Sequence, residues 1–291
     1  MQVMLKMHGM TDTHTPDQKI ILITGCSSGI GYATAHVLRD AGWRVLATAR
    51  QAHDVERLIS EGFESIPVDY NDTASLEAAR DYIVAQCGGR IDALFNNGAY
   101  AVPGATEDLP RGALREIFET NLFGVHELTT LILPLMRAQG FGRVLNCSSV
   151  LGVVTAPWRG AYVSTKFALE GLTDTLRIEM ADTPIEVILI NPGPITSDIR
   201  VNSIPHFERW IDWENSVRAS QYQSSLLKRL YEAGGPDKYE LPARDVGALV
   251  LRALDAKRPK ARYFITKPAV WASYLKRILP TAQLDRLLSK I

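Results

Sequence analysis

A chain of 291 residues, 46% hydrophobic and 22% charged, carries ample apolar material for one large core. Lysine plus arginine and aspartate plus glutamate each number 32, so the net charge is zero and nothing favours a nucleic-acid partner. Cys26, Cys87 and Cys147 show no CxxC pair or metal-like spacing; they read as reduced thiols, and no metal site is expected. The stretch 1–18 lacks the apolar run of a signal peptide and reads as a mobile leader, with Met4, Met7 and Met10 as alternative starts. No apolar stretch approaches the ~18 residues of a membrane span. A soluble cytoplasmic protein is expected.

From Lys19 onward, short apolar runs alternate with helical periodicity. Strands are predicted at 20–24, 44–48, 63–68, 91–96, 143–147, 185–190 and 262–265. Helical segments include 30–41, 74–87, 111–138, 161–180 and 244–256, and Pro134 is expected to kink the third of these. The strand runs are mostly apolar throughout rather than alternating, as strands buried on both faces require. This rhythm predicts a parallel sheet with helices on both sides, joined by right-handed crossovers, with 19–291 as one domain. The stretch 197–241 breaks it, carrying Phe207, Trp210, Trp213, Tyr222 and Tyr231 among polar residues, and reads as an insertion.

Directly after the first strand comes Thr24-Gly25-Cys26-Ser27-Ser28-Gly29-Ile30-Gly31, and then a helix. Glycine suits a tight turn, close approach of backbone to a pyrophosphate, and close packing of helix on strand. The helix start also offers free N–H groups and a positive dipole end to phosphates. A strand–helix turn that binds nothing is the alternative. The spacing TGxxxGxG resembles the short-chain dehydrogenase/reductase family, and further matches follow in that family's order over residues 19 to 200. The resemblance implies an α/β doubly wound Rossmann fold with one seven-stranded parallel sheet, and an oxidoreductase acting on a carbonyl or alcohol.

The second strand runs into Ala49-Arg50, with Ala49 where NAD enzymes of the family carry an acid. A carboxylate would repel a 2′-phosphate, whereas a guanidinium binds it with two hydrogen bonds. NADP(H) is therefore expected over NAD(H), the alternative being an incidental surface arginine. Asp69 matches the family's adenine contact, with a helix cap as the alternative. After the fourth strand the family has Asn-Asn-Ala-Gly, but this chain reads Asn96-Asn97-Gly98-Ala99. Asn97 and Gly98 are expected under the cofactor, and Ala99 would be strained if its position required positive φ. Asn121 matches the family's helix asparagine, which supports a proton-relaying water; asparagine is a poor interior helix residue, and lining a kink is the alternative.

Tyr162 and Lys166 stand four apart on one predicted helix face. A phenol of pKa ~10 needs help to act as a base at neutral pH, and a nearby ammonium supplies it. Tyr162 is thus expected to give and take the substrate proton. Lys166 is expected to lower its pKa and, by resemblance, to hold the nicotinamide ribose. The family's serine precedes the tyrosine by thirteen residues, which selects Ser149 over Ser148 to hold the substrate oxygen. Pro192, Gly193 and Thr196 resemble the loop on the carboxamide side of the nicotinamide.

The insertion lies where the family places its substrate lid, and Val150, Leu151, Val153 and Trp158 are further apolar pocket candidates. A small hydrophobic ketone, aldehyde or alcohol is the expected substrate. Thr48-Ala49-Arg50 and the run Lys166-Phe167-Ala168-Leu169-Glu170-Gly171 look closest to the hydroxysteroid and retinol dehydrogenase-like branch. The segment 270–291 is amphipathic and split by Pro280; packing on its own domain or a partner is expected rather than membrane contact. The family implies a homodimer or homotetramer, with 111–138 and 161–180 as candidate interface helices. A non-catalytic NADP(H)-binding redox sensor would need no serine, tyrosine and lysine in register. A methyltransferase would not explain Tyr162, Lys166 or Asn121.

Overall fold

The computed structural model describes residues 18–232 and 237–289, so nearly all of the leader expected at 1–18 lies outside the described residues. Each apolar run becomes a strand: β1 (Ile20–Ile23), β2 (Arg44–Ala49), β3 (Glu64–Pro67), β4 (Ala93–Asn96), β5 (Gly142–Cys147), β6 (Ile185–Pro192) and β7 (Arg262–Ile265). All pair in parallel, in the order β3-β2-β1-β4-β5-β6-β7. Strand order reverses between β1 and β4, which opens a crevice at their C-terminal ends.

The side chains of β1 show why alternation is absent. Ile21 and Ile23 face one buried layer, completed by Leu38 of α1 (Gly29–Asp40) and Val250 of α10 (Ala243–Asp255). Ile20 and Leu22 face the other, against Leu76 of α3 (Thr73–Cys87), Leu128 of α5 (Gly124–Gln139) and Leu169 of α6 (Gly160–Glu179). The remaining helix of this half, α2 (Ala52–Ser60), covers β2 and β3. Edge strand β3 is tied to β2 by Arg44, whose guanidinium grips Glu64 at 2.6 and 2.9 Å.

The long helix expected at 111–138 is broken. It consists of α4 (Arg111–Phe118), a π turn at Glu119–Phe123 and α5, which runs through Pro134. The break falls at the buried Asn121 rather than at the proline, and single π turns of this kind gather at functional sites.

The insertion folds as α7 (Ile199–Trp210), α8 (Ala219–Gln221), a π turn at Tyr222–Leu226 and α9 (Leu227–Tyr231). Phe207, Trp210, Trp213 and Tyr222 join a separate apolar cluster in which Phe207 and Tyr222 are buried against Val102 and Ile117, while Tyr231 stays exposed. Tyr222 accepts from the Ala105 amide at 2.8 Å and donates to Asp108 at 2.7 Å.

At the C-terminal end, α11 (Lys267–Ile278) and α12 (Thr281–Leu288) part at Pro280 as expected. Their Leu275, Leu284 and Leu288 pack on Val150, Val153 and Val154. Val150 and Val153, expected in the pocket, are thus taken up by the helix pair. Among the described residues no helix is long and apolar enough to cross a membrane.

Leu22 is fully buried in the central strand. Leu22→Ala should lower stability by about 2–5 kcal/mol in urea unfolding; a loss below about 1 kcal/mol would contradict this packing.

Candidate active site

The crevice begins at the glycine turn. Gly25 adopts φ +69°, and a Cβ on Gly31 would lie 2.3 Å from the Gly25 carbonyl oxygen, so neither position admits a side chain. Ser28 caps α1 in extended conformation without a side-chain cap bond, leaving the helix's first N–H groups for a phosphate. Ser27 is exposed, Gly29 and Ile30 are half-buried, and the Ser27 carbonyl accepts from Arg57 at 2.7 Å. The loop after β6 descends onto this turn, bringing Ser197 against Gly29. Pro192 ends β6, the Gly193 amide donates to the Ile265 carbonyl at 3.1 Å, and the exposed Thr196 is fixed through Leu241 at 3.0 Å. The cradle is shaped for a pyrophosphate, and a dinucleotide fits the residues present.

Arg50 is exposed just beyond β2, next to the buried Ala49, and makes no hydrogen bond or ion pair with another described residue. Asp69 does not cap a helix: Asp72 caps α3, while Asp69 accepts from the Asn71 amide at 3.0 Å and stays half-buried. Asn97 locks β4 to β1, its amide reaching Thr24 Oγ1 at 2.9 Å and its Nδ2 the Thr24 carbonyl at 3.1 Å. Among the described residues only Trp158 and Thr266 are non-glycine residues with positive φ. Ala99 is therefore unstrained, and the exchange of glycine and alanine costs nothing there. Gly98 earns its place by proximity, since a Cβ would sit 3.0 Å from the Tyr70 ring.

The helix α6 starts beside the end of β5 and carries Tyr162 and Lys166 one turn apart. Lys166 is 3% exposed; its Nζ donates to the Cys147 carbonyl at 2.7 Å and lies 5.5 Å from the Tyr162 ring centre. Burial holds this ammonium below the ordinary lysine range, against the pull of Cys147 and Glu170. Burial also pushes the Tyr162 phenol well above its ordinary value. The groups that oppose this are the Ser149 hydroxyl, which lies beside Tyr162, and the Arg159 guanidinium.

The two serines separate cleanly. Ser149 is half-buried beside Tyr162 and accepts from the Leu151 amide at 3.1 Å. Ser148 is buried under Gly152, its hydroxyl unpaired among the described residues. Asn121 is fully buried in the π turn and its side chain is occupied: it accepts from the Tyr100 amide at 3.1 Å and donates to the Tyr100 carbonyl at 2.9 Å. It also donates to Thr165 at 3.2 Å, so it ties the loop after β4 to α6.

Sequence reasoning missed the support behind these groups. Glu170, one turn beyond Lys166, is buried; it accepts from Asn191 at 2.5 Å and from Arg262 at 3.0 Å. Asn191 also donates to the Ser149 carbonyl at 3.2 Å. Asn96 bridges Thr129 and Asn146 at 2.9 Å each, joining β4, β5 and α5 beneath the crevice. A buried asparagine repeated at the ends of adjacent strands was the available signal.

Residues 19–206 match the family model described as short chain dehydrogenase. The uncharacterized oxidoreductase YbbO of Escherichia coli K12 is 35% identical over 271 residues, covering 93% of this chain and 94% of its own. A short-chain dehydrogenase from Streptomyces avermitilis superimposes with a TM-score of 0.76 at 28% identity, covering 93% of this chain and 96% of that one. Actinorhodin polyketide ketoreductase, solved with NADPH, gives a TM-score of 0.69 at 26% identity, covering 86% and 97%.

Because burial dominates Tyr162, its phenol should stay protonated in the ligand-free protein beyond the ~10 of free tyrosine. The difference in phenolate absorbance between wild type and Tyr162→Phe should be flat up to that pH. An ionisation near neutrality would contradict the geometry.

Proposed function

Because the chain belongs to the short-chain dehydrogenase family, we propose that this oxidoreductase uses NADP(H) to interconvert a hydrophobic ketone or aldehyde with its alcohol. The observation that carries the reading is the half-buried Tyr162 beside the half-buried Ser149, with the buried Lys166 one turn along α6 and bonded to the end of β5, next to the glycine cradle.

Gly25, Ser27, Ser28, Gly29, Ile30 and Gly31 would hold the pyrophosphate, Arg50 the 2′-phosphate and Asp69 the adenine. Asn97 and Gly98 would lie under the nucleotide, with Pro192, Gly193 and Thr196 on the carboxamide side. When bound, the nicotinamide supplies or accepts the hydride.

The protein's own part is the proton and the oxygen. Ser149 Oγ and the Tyr162 hydroxyl converge on one substrate oxygen, where donors placed in advance stabilise developing charge by about 2.7–4 kcal/mol each. Tyr162 donates its proton in reduction and takes it back in oxidation. Lys166 keeps a cation 5.5 Å from the phenol ring centre and would hold the ribose hydroxyls of a bound cofactor with the donors its bond to Cys147 leaves. Asn121, with its side chain committed, supports the relay by holding the π turn and the Tyr100 loop. Trp158, packed on Tyr222 with ring centres 4.8 Å apart, gives the pocket an apolar wall shared with the insertion. Support for NADP(H) comes from Arg50 and from the NADPH-bound ketoreductase of similar fold. The proposal includes a cytoplasmic homodimer or homotetramer through the segments 111–138 and 161–180, where Phe123 of the π turn and Phe167, Leu172 and Ile178 of α6 are exposed apolar residues.

Tyr162→Phe should cut turnover by about a thousandfold while NADPH affinity, read by fluorescence titration, stays within a few-fold. Retained activity would remove Tyr162 from the mechanism. Arg50→Ala should weaken NADPH by about tenfold or more and leave NADH nearly unchanged; equal losses for both would remove Arg50 from the choice of cofactor.

A further inference from the structure

One cation at the crevice is not used by the reaction above. Arg159 stands immediately before α6, one turn from Tyr162, and is half-buried. Its backbone is held against the loop after β4: the Gly104 amide donates to the Trp158 carbonyl at 3.0 Å, and Gly104 and Arg159 form an isolated parallel bridge. Trp158 just before it adopts φ +64°, a left-handed conformation that costs a non-glycine residue free energy and tends to persist at functional sites. A guanidinium carries five donors, yet that of Arg159 makes no hydrogen bond or ion pair with another described residue.

Its surroundings do not neutralise it. Burial, then Arg229 and Arg200, pull Arg159 down to about 10, while Asp237 and Tyr162 pull the other way. The acids within reach are already engaged. Asp237 is paired with Arg229 at 3.3 Å. Glu240 accepts from the Asp237 amide at 2.9 Å and lies within the fields of Arg200 and Arg229. A half-buried guanidinium with no hydrogen-bond or ion-pair partner among the described residues, lying in the fields of two other cations while the nearby carboxylates are engaged, is suited to an anion.

We propose that Arg159 anchors a carboxylate-type oxyanion on the substrate, placing the reacting carbonyl at Tyr162. The substrate class becomes an oxo acid with an apolar body. The planar guanidinium takes a carboxylate by two parallel hydrogen bonds, and its place one turn from Tyr162 fixes the register of the chain between them. The identity of this ligand as substrate rests on the proposed carbonyl reduction; the anion site does not.

The test uses the full chain with NADPH and two probes, 5-oxodecanoate and its methyl ester. In wild type the acid should exceed the ester in kcat/KM by about tenfold or more, the scale of a charge-assisted hydrogen bond. In Arg159→Gln that ratio should fall to near one, and Arg159→Lys should restore part of it. A ratio near one in wild type, with both probes turned over, overturns the anion site and leaves the reduction standing. A second readout needs no turnover: decanoate should quench the fluorescence of the tryptophans near the crevice in wild type but not in Arg159→Gln. If that difference is seen while neither probe is reduced, the anion site stands and the reduction of such ketones fails. If Arg159→Gln instead weakens NADPH and leaves decanoate binding unchanged, Arg159 serves the cofactor and the inference is wrong.

Discussion

A buried ammonium needs an acceptor, and Lys166 finds it in the main-chain carbonyl that ends β5. That one bond, from Nζ to the Cys147 oxygen at 2.7 Å, determines where the N-terminal half of α6 sits relative to the sheet. Ser149 lies two residues beyond the acceptor, and Tyr162 one turn before the donor. Fixing the charge therefore brings the two hydroxyls together. Leaving a buried cation without a partner would cost several kcal/mol, so the register of α6 against β5 is held by a penalty rather than by shape alone. The next turn repeats the device in opposite sign, with Glu170 balanced by Arg262 and bonded to Asn191. Two buried charges of opposite sign, each with its own partners, hold the floor of the crevice.

Above that floor, the field is uneven in a way that suits the proposed chemistry. Burial disfavours the phenolate of Tyr162, and the Ser149 hydroxyl and Arg159 guanidinium favour it. A proton donor for reduction should hold its proton until charge develops on the substrate oxygen, and these opposed effects keep it in that state. The insertion closes the other side. Its aromatic cluster is packed and hydrogen-bonded through Tyr222, so it acts as a built wall rather than a loose flap. An apolar wall with cationic residues at its rim is a surface for an amphiphilic molecule.

Much of this was legible in the sequence because it rests on local rules. Continuous apolar runs gave the strands, and the spacing Thr24 to Gly31 gave the turn at the start of α1. The helical offset of Tyr162 and Lys166 put both on one face of α6, and the family's thirteen-residue spacing, a resemblance rather than a local rule, pointed to Ser149, which lies half-buried beside the tyrosine, while Ser148 is buried. What escaped depends on long-range partners. Asn121 reads as a weak helix residue, but its place in a π turn follows from bonds to Tyr100 and Thr165, remote in sequence. Val150 and Val153 read as pocket residues, yet α11 and α12 return over a hundred residues later to cover them. Ala99 raised a question of backbone strain that only its conformation answers. Arg159 belongs to no spacing pattern at all; its isolation is visible only once its neighbours are in place.

In the proposed reaction the crevice passes a hydride to a carbonyl carbon while Tyr162 supplies the proton. The most direct measurement is the fate of deuterium from NADPH labelled at nicotinamide C4, followed by mass spectrometry of the alcohol formed from an apolar ketone. One deuterium is expected on the carbinol carbon, delivered from a single face of the nicotinamide and absent when Tyr162→Phe replaces wild type. Alcohol formed without label from either face would contradict it.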